Sequence, residues 1–203
     1  MHYVAKSAIE DAARAGTSRG VTALEITAVA QQLADERGFD GFTMDELAAA
    51  AGVSRRTLFN HVAGKLDAVL GPEPVPPSTA LEEFRGGGPH GDLVLDLAAL
   101  AGAILDSSAA GRDELARARR LLTGNAKLLA ATHDRFHHLS ELLVAEIAHR
   151  EGESFGALRA RVAIAVLACL FDTALTAFLE DPQRRDLTHH FDESIRLARE
   201  LLA

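Results

Sequence analysis

The chain has 203 residues, 48% of them apolar and 25% charged, the make-up of a soluble globular protein with enough length to bury a sizeable core. A formal net charge of −8 excludes a protein that coats nucleic acid indiscriminately, which needs a broadly basic surface, but leaves room for a local basic face. A single cysteine, Cys169, excludes an intramolecular disulfide, fits a reducing cytoplasm and, with apolar neighbours, reads as an inert buried thiol.

Residues 1–21 form an extension in which Lys6, Arg14 and Arg19 are diluted by Glu10 and Asp11, with no apolar stretch like that of a secretory signal. The most apolar run, 162–171, is bounded by Arg161 and Asp172 and is too short to span a bilayer, so the expected location is the cytoplasm. Helical periodicity dominates and no alternating strand is found, which predicts an all-α fold. Ile26, Ala30, Leu33 and Ala34 make one apolar stripe on a helix over about 22–37 that Gly38 ends. Phe39 and Phe42 fall in a short turn. Thr43 with Glu46 three residues on is a capping box, opening a short helix with Met44, Leu47, Ala48 and Ala51 inward and Gly52 at its end. Ser54 caps the next, with Leu58 and Val62 inward, and a further turn or two follows Gly64.

Four prolines over 71–80 and a triple glycine over 85–91 mark a linker, 71–91, that the sequence pattern does not read as regular helix. Beyond it, helices are expected over about 92–109, 112–123, 126–150, 155–180 and 188–202, punctuated by Gly111, Gly124, Gly152 and Pro182.

Two short helices joined by a Gly-Val-Ser turn, with a preceding helix to complete the core, describe a helix-turn-helix unit over 22–70. From 22 to 52 six carboxylates stand against Arg37 alone, whereas 53–65 carries Arg55, Arg56 and Lys65 and no carboxylate. An approach to phosphates therefore runs through the second helix. With Leu58 and Val62 inward, Arg55, Arg56, Thr57, Phe59, Asn60 and His61 lie outward or at the edges. Arg pairs with guanine and Asn with adenine, Thr and His donate to phosphate, and Phe59 can meet a thymine methyl. Lys65 stands near the N-terminus of the next helix, where backbone N–H groups attract phosphate.

The ordered series ERGF, T-x-x-E-L-A, A-A-G-V-S and T-L-F-x-H-V-x-x-K within 26–70 resembles the N-terminal domain of the TetR family of transcriptional regulators. The resemblance implies phosphate contacts by Thr43, Thr57, His61 and Lys65 and base contacts by Arg55, Arg56 and Phe59, with Ser54 counted in the same DNA-binding set. Phe59 replaces the Tyr more usual in the family, and Gly71 and Pro72 cut short a helix that normally runs on.

For the remainder, 92–203, the expectation is a helical effector-binding and dimerisation domain. The family implies a four-helix bundle between two copies, built from the last two helices, and Leu167, Leu170, Leu175, Phe178, Phe191, Ile195 and Leu202 are its expected contacts. Leu100, Ile104, Leu121, His133, Phe136, His137, Asp172 and Thr176 are the expected effector pocket. The whole then reads as a cytoplasmic homodimeric repressor that binds a near-palindromic operator and is released by a small apolar or amphipathic ligand. A regulator without an effector, or one that senses metal through His133 and His137, are the alternatives. No nucleophile with a base, no phosphate loop and no complete metal set is found, so neither an enzyme nor a resident cofactor is expected.

Overall fold

The structure, a computed structural model, describes residues 19–108 and 111–202. Among the described residues it is all-α: α1 (Arg19–Arg37), α2 (Met44–Ala50), α3 (Arg55–His61), α4 (Lys65–Leu70), α5 (Ser78–Arg85), α6 (Leu93–Ser108), α7 (Arg112–Gly124), α8 (Ala126–Glu151), a 3-10 turn (Glu153–Phe155), α9 (Ala157–Glu180) and α10 (Leu187–Leu202). Most expected boundaries agree to within a residue or two. The expected extension is shorter than 1–21, since α1 begins at Arg19; residues 1–18 lie outside the described residues.

The described residues divide into two compact units, 19–75 with 111–137, and 76–108 with 138–202. The first is built on the α1 stripe, Ile26, Ala30, Leu33 and Ala34, against Phe39, Phe42, Leu47, Leu58, Val62 and Val69. Its helices start where the caps dictate. The Thr43 amide donates to Glu46 Oε2 at 2.7 Å and the Glu46 amide to Thr43 Oγ1 at 3.2 Å, satisfying two donors that the helix itself cannot. Gly38 and Gly52 end α1 and α2 with φ of 79° and 67°, a left-handed backbone that a side chain would strain.

Against expectation, α7 and the first half of α8 belong to this unit rather than to a separate C-terminal domain. Leu128 is fully buried in its core, with Leu121 and Leu122 packed against it. Three long-range ion pairs reinforce the packing: Arg120 with Asp35 at 2.9 Å, Lys127 with Asp40 at 3.0 Å and Arg135 with Asp67 at 2.9 Å. Arg135 also donates to the Gly71 carbonyl at 2.6 Å, so the point where α4 stops is tied down.

The second unit corrects the linker. α5 lies inside 71–91, because its Leu81 and Phe84 give it an apolar edge that is buried, and Pro77 stands just before its first turn, where a missing N–H costs nothing. Buried Leu97, Leu100, Ile147, Ala160, Ile164, Leu167, Ala174, Phe191 and Ile195 complete this core. The corner between α9 and α10 is closed by Asp181, which accepts from the Gln183 and Arg185 amides, Arg185 Nε and His190 Nε2. That set, led by Arg185, holds the Asp181 carboxyl far below the ordinary range despite burial.

α9 has 24 residues and, among the described residues, is the one helix long and apolar enough to cross a bilayer by length and composition, longer than its ten-residue apolar run suggests. One of its faces, Ala160, Ile164, Leu167, Ala174 and Phe178, is buried within the unit. Cys169 is exposed on another, so the expectation of a buried thiol is corrected.

Candidate nucleic-acid interface

Ser54 caps α3: its Oγ accepts from the Thr57 amide at 3.0 Å and lies 2.8 Å from Thr57 Oγ1. Leu58, fully buried, and Val62 lock the helix onto the α1 stripe. The Val53 amide donates to Ala48 O at 3.0 Å, closing the turn between α2 and α3. Leu58 and Val62 being inward, Arg55, Arg56, Phe59 and Asn60 are exposed, and Thr57 and His61 are half-buried at the edges. The pattern of exposure along this helix is the one expected from its period.

The partners of these side chains sort them further. Arg56 and Asn60 are exposed, and no hydrogen bond or ion pair engages Arg56 among the described residues. Arg55 Nη1 donates to Asp45 at 3.2 Å, and its guanidinium carbon lies 5.7 Å from the Phe59 ring centroid. The Thr43 hydroxyl donates to Glu46 Oε2 at 2.9 Å, so a phosphate contact through that hydroxyl must displace the carboxylate. Glu46 is in turn held below the ordinary carboxylate range, first by the Thr43 backbone donor.

Lys65 is the clearest departure. Its Nζ donates to the Phe39 carbonyl at 2.8 Å and sits 4.1 Å from the Phe42 ring centroid and 5.4 Å from that of Phe39. A cation held in this way fastens the α1–α2 turn to the start of α4, and one of its three donors is already spent on the Phe39 carbonyl. The signal was in the sequence, in the two phenylalanines of the turn, but nothing local linked them to a lysine 26 residues away.

The expected effector residues are divided between the two units. Leu100 is buried in the core of the second unit, and Leu121 is packed against that of the first. His133, Phe136 and His137 are exposed on the part of α8 that belongs to the first unit. Ile104 is half-buried on α6, Asp172 is exposed on α9, and Thr176 donates to the Asp172 carbonyl at 2.9 Å. Among the described residues no group of three or more metal-ligating side chains is brought together, so the His133 and His137 pair has no third ligand there.

Four of the expected dimer contacts are turned inward. Leu167, Phe178, Phe191 and Ile195 are buried within the protomer, Leu170 packs against the same core and Leu175 is half-buried. Phe171 meets Phe191 edge-on at 5.8 Å, which turns the apolar face of α10 inward. The side chain of Leu202 lies outside the described ones.

A short capped helix with an exposed cationic and amide face, locked onto a three-helix core, defines a helix-turn-helix DNA-binding domain. Residues 26–67 match the family model described as bacterial regulatory proteins of the tetR family, so this helix-turn-helix segment is similar to the DNA-binding domain of that family. A solved structure described as a tetR-family transcriptional regulator from Mesorhizobium loti MAFF303099 is similar over 89% of this chain and 96% of its own, with 18% identity and a TM-score of 0.49. No curated protein gives a match.

Proposed function

We propose that the protein is a cytoplasmic homodimeric repressor that reads a near-palindromic operator through α3 and is released by a small amphipathic ligand. The outward face of α3 carries the reading. Arg56 and Asn60 are the base-reading candidates, with Ser54, Thr57 and His61 as the backbone contacts beside them. In a two-fold dimer the two α3 helices meet successive major grooves roughly 34 Å apart or a multiple of it. Selection from a random duplex library followed by gel shift tests this. Arg56→Ala is expected to weaken the selected sequence by about 1–3 kcal/mol and relax one position, whereas His61→Ala weakens all sequences alike and flattens the salt dependence. Equal losses on selected and random duplexes in Arg56→Ala would remove its base-reading role.

Dimerisation rests on a different set of residues from those expected. On α9, Leu158, Val162 and Val166 are 76%, 54% and 41% exposed at four-residue spacing, with Cys169 between their rows. Leu197 and Leu201 are 43% and 83% exposed on α10, which packs along α9. Two adjacent terminal helices with apolar outer rows fit a self-complementary interface.

For the ligand, the candidate is a groove of about 880 Å³ between α6 and α10. Leu95, Ala98, Phe191 and Ile195 line it with apolar surface, and His90, Arg196 and Arg199 bring polar groups. Both guanidiniums are already paired, Arg196 with Glu193 and Glu200, Arg199 with Asp92. An apolar body with a modest polar end therefore suits the site better than a free anion. A side chain at Gly102, which also lines the groove, would meet open space. Gly102→Leu is expected to fold at least as well as the parent and to abolish thermal stabilisation by any small amphipathic compound that releases the protein from DNA. Stabilisation and release that survive in Gly102→Leu would place the effector elsewhere.

A further inference from the structure

Two adjacent arginines on α3 are treated differently by the fold. Arg56 has no carboxylate beside it, whereas Arg55 is held from two sides by groups on separate helices. Asp45, in the first turn of α2, places its carboxylate 3.2 Å from Arg55 Nη1. Phe59, one turn further along α3, lies under the guanidinium at 5.7 Å, within range of a cation–π contact. We infer that Asp45 is a positioning residue that sets the sequence specificity of this interface by restraining Arg55. The inference rests on the reading of α3 as the DNA-recognition helix.

The physical case begins with exposure. The Arg55 and Asp45 side chains are about two-thirds exposed, so their pair adds little to the stability of the fold. Its effect falls on recognition instead. An unrestrained guanidinium samples many rotamers and is attracted to any phosphate within reach, an attraction without sequence content. With Nη1 on Asp45 and the plane laid against Phe59, fewer orientations are open, so less freedom is lost when the remaining donors meet a guanine edge. The carboxylate also offsets the charge that a misplaced phosphate would see, penalising non-specific registers more than the matched one. Glu46 next to it is engaged otherwise, by Thr43 and Arg37, which leaves Asp45 as the carboxylate assigned to Arg55.

The test uses the full-length protein and fluorescence anisotropy from 50 to about 200 mM salt, on a duplex selected by the wild type and on a pool of random duplexes. Per protomer in contact with the duplex, Asp45→Asn is expected to tighten binding to the random pool by up to about fivefold and to steepen its salt slope by about 0.9. Binding to the selected duplex should be unchanged or weaker, so the specificity ratio falls, and Asp45→Glu should keep it. In an Arg55→Ala background the Asn substitution should no longer move the ratio. Thermal unfolding by circular dichroism should be the same for all forms, since the α2 cap is made by Thr43 and Glu46. An unchanged ratio and slope in Asp45→Asn would overturn the inference while leaving DNA binding intact. So would an equal change with and without Arg55, which would make Asp45 a general repulsive charge. Absence of binding to every duplex by the wild type would overturn the DNA-binding reading and this inference together.

Discussion

Asp96→Asn is expected to destabilise the second unit by up to about 3–5 kcal/mol, because it removes the fully buried counter-charge of Arg150 and leaves that guanidinium only the part-exposed Glu151, 2.9 Å from its Nε. The Asp96 side chain is fully buried and that of Arg150 is 5% exposed, with Nη2 donating to Oδ2 at 2.5 Å. The other carboxylate oxygen accepts from the His90 amide at 2.6 Å and lies 3.1 Å from His90 Nδ1. Arg150 also stacks over Phe84, at 4.9 Å from its ring centroid, and reaches the Gly87 carbonyl at 3.4 Å. This cluster therefore pins the glycine-rich loop before α6 to the end of α8. It is not a free gain even in the native protein, since Arg150 Nη1 is buried with no hydrogen-bond partner. The double variant Asp96→Leu with Arg150→Met, which removes both charges, is accordingly expected to recover much of the loss. Urea unfolding followed by circular dichroism checks both; a single variant within about 1 kcal/mol of wild type, on the same scale, would mean that Glu151 alone compensates the guanidinium. Burial pushes the Asp96 carboxyl up, but the His90 backbone donor and Arg150 outweigh it and hold it below the ordinary 3.8. The sign follows: the stabilisation is complete above the unfolded value and declines as pH falls below it, a decline that Asp96→Asn should lack.

Local signals made the helices legible and long-range contacts did not. Thr43 with Glu46, Gly38 and Gly52 each fix a helix end through neighbours within a few residues, so the α1 to α4 boundaries follow from the sequence. The placement of α7 depends on Arg120 finding Asp35, 85 residues away, and that of the first half of α8 on Leu128 entering the core formed by α1; no local pattern announces either. The outward face of α3 was legible because Leu58 and Val62 fix its rotation. That Arg55 is held by Asp45, and Lys65 by Phe39, was not, since each link joins two elements across a turn. α9 shows the limit of periodicity most clearly. A helix apolar on nearly every side does not reveal which face its own protomer uses, and the docking of Phe191 against Phe171 decides it.

That decision yields the second large effect. Because Val162 and Leu201 are exposed in the protomer, Val162→Asp with Leu201→Asp should alter folding stability little, as surface substitutions away from special features do. The same substitution at Leu167, buried in the protomer core, should prevent folding. Two charges on each of two facing copies would be buried unpaired in a shared interface, so the exposed-row variant is expected to be a folded monomer by light scattering. DNA binding should then fall by about 10²- to 10⁴-fold on a two-half-site duplex, since each α3 binds without the effective concentration that its partner supplies. Binding to an isolated half-site should change little, which separates loss of pairing from damage to α3. The single thiol gives an independent check. Cys169 lies on the same outer face of α9, so maleimide labelling should be slow in the wild type and fast in the monomeric variant. Equal labelling rates together with a dimeric double variant would move the interface off these rows, while a monomeric wild type that still binds the two-half-site duplex would remove the need for one.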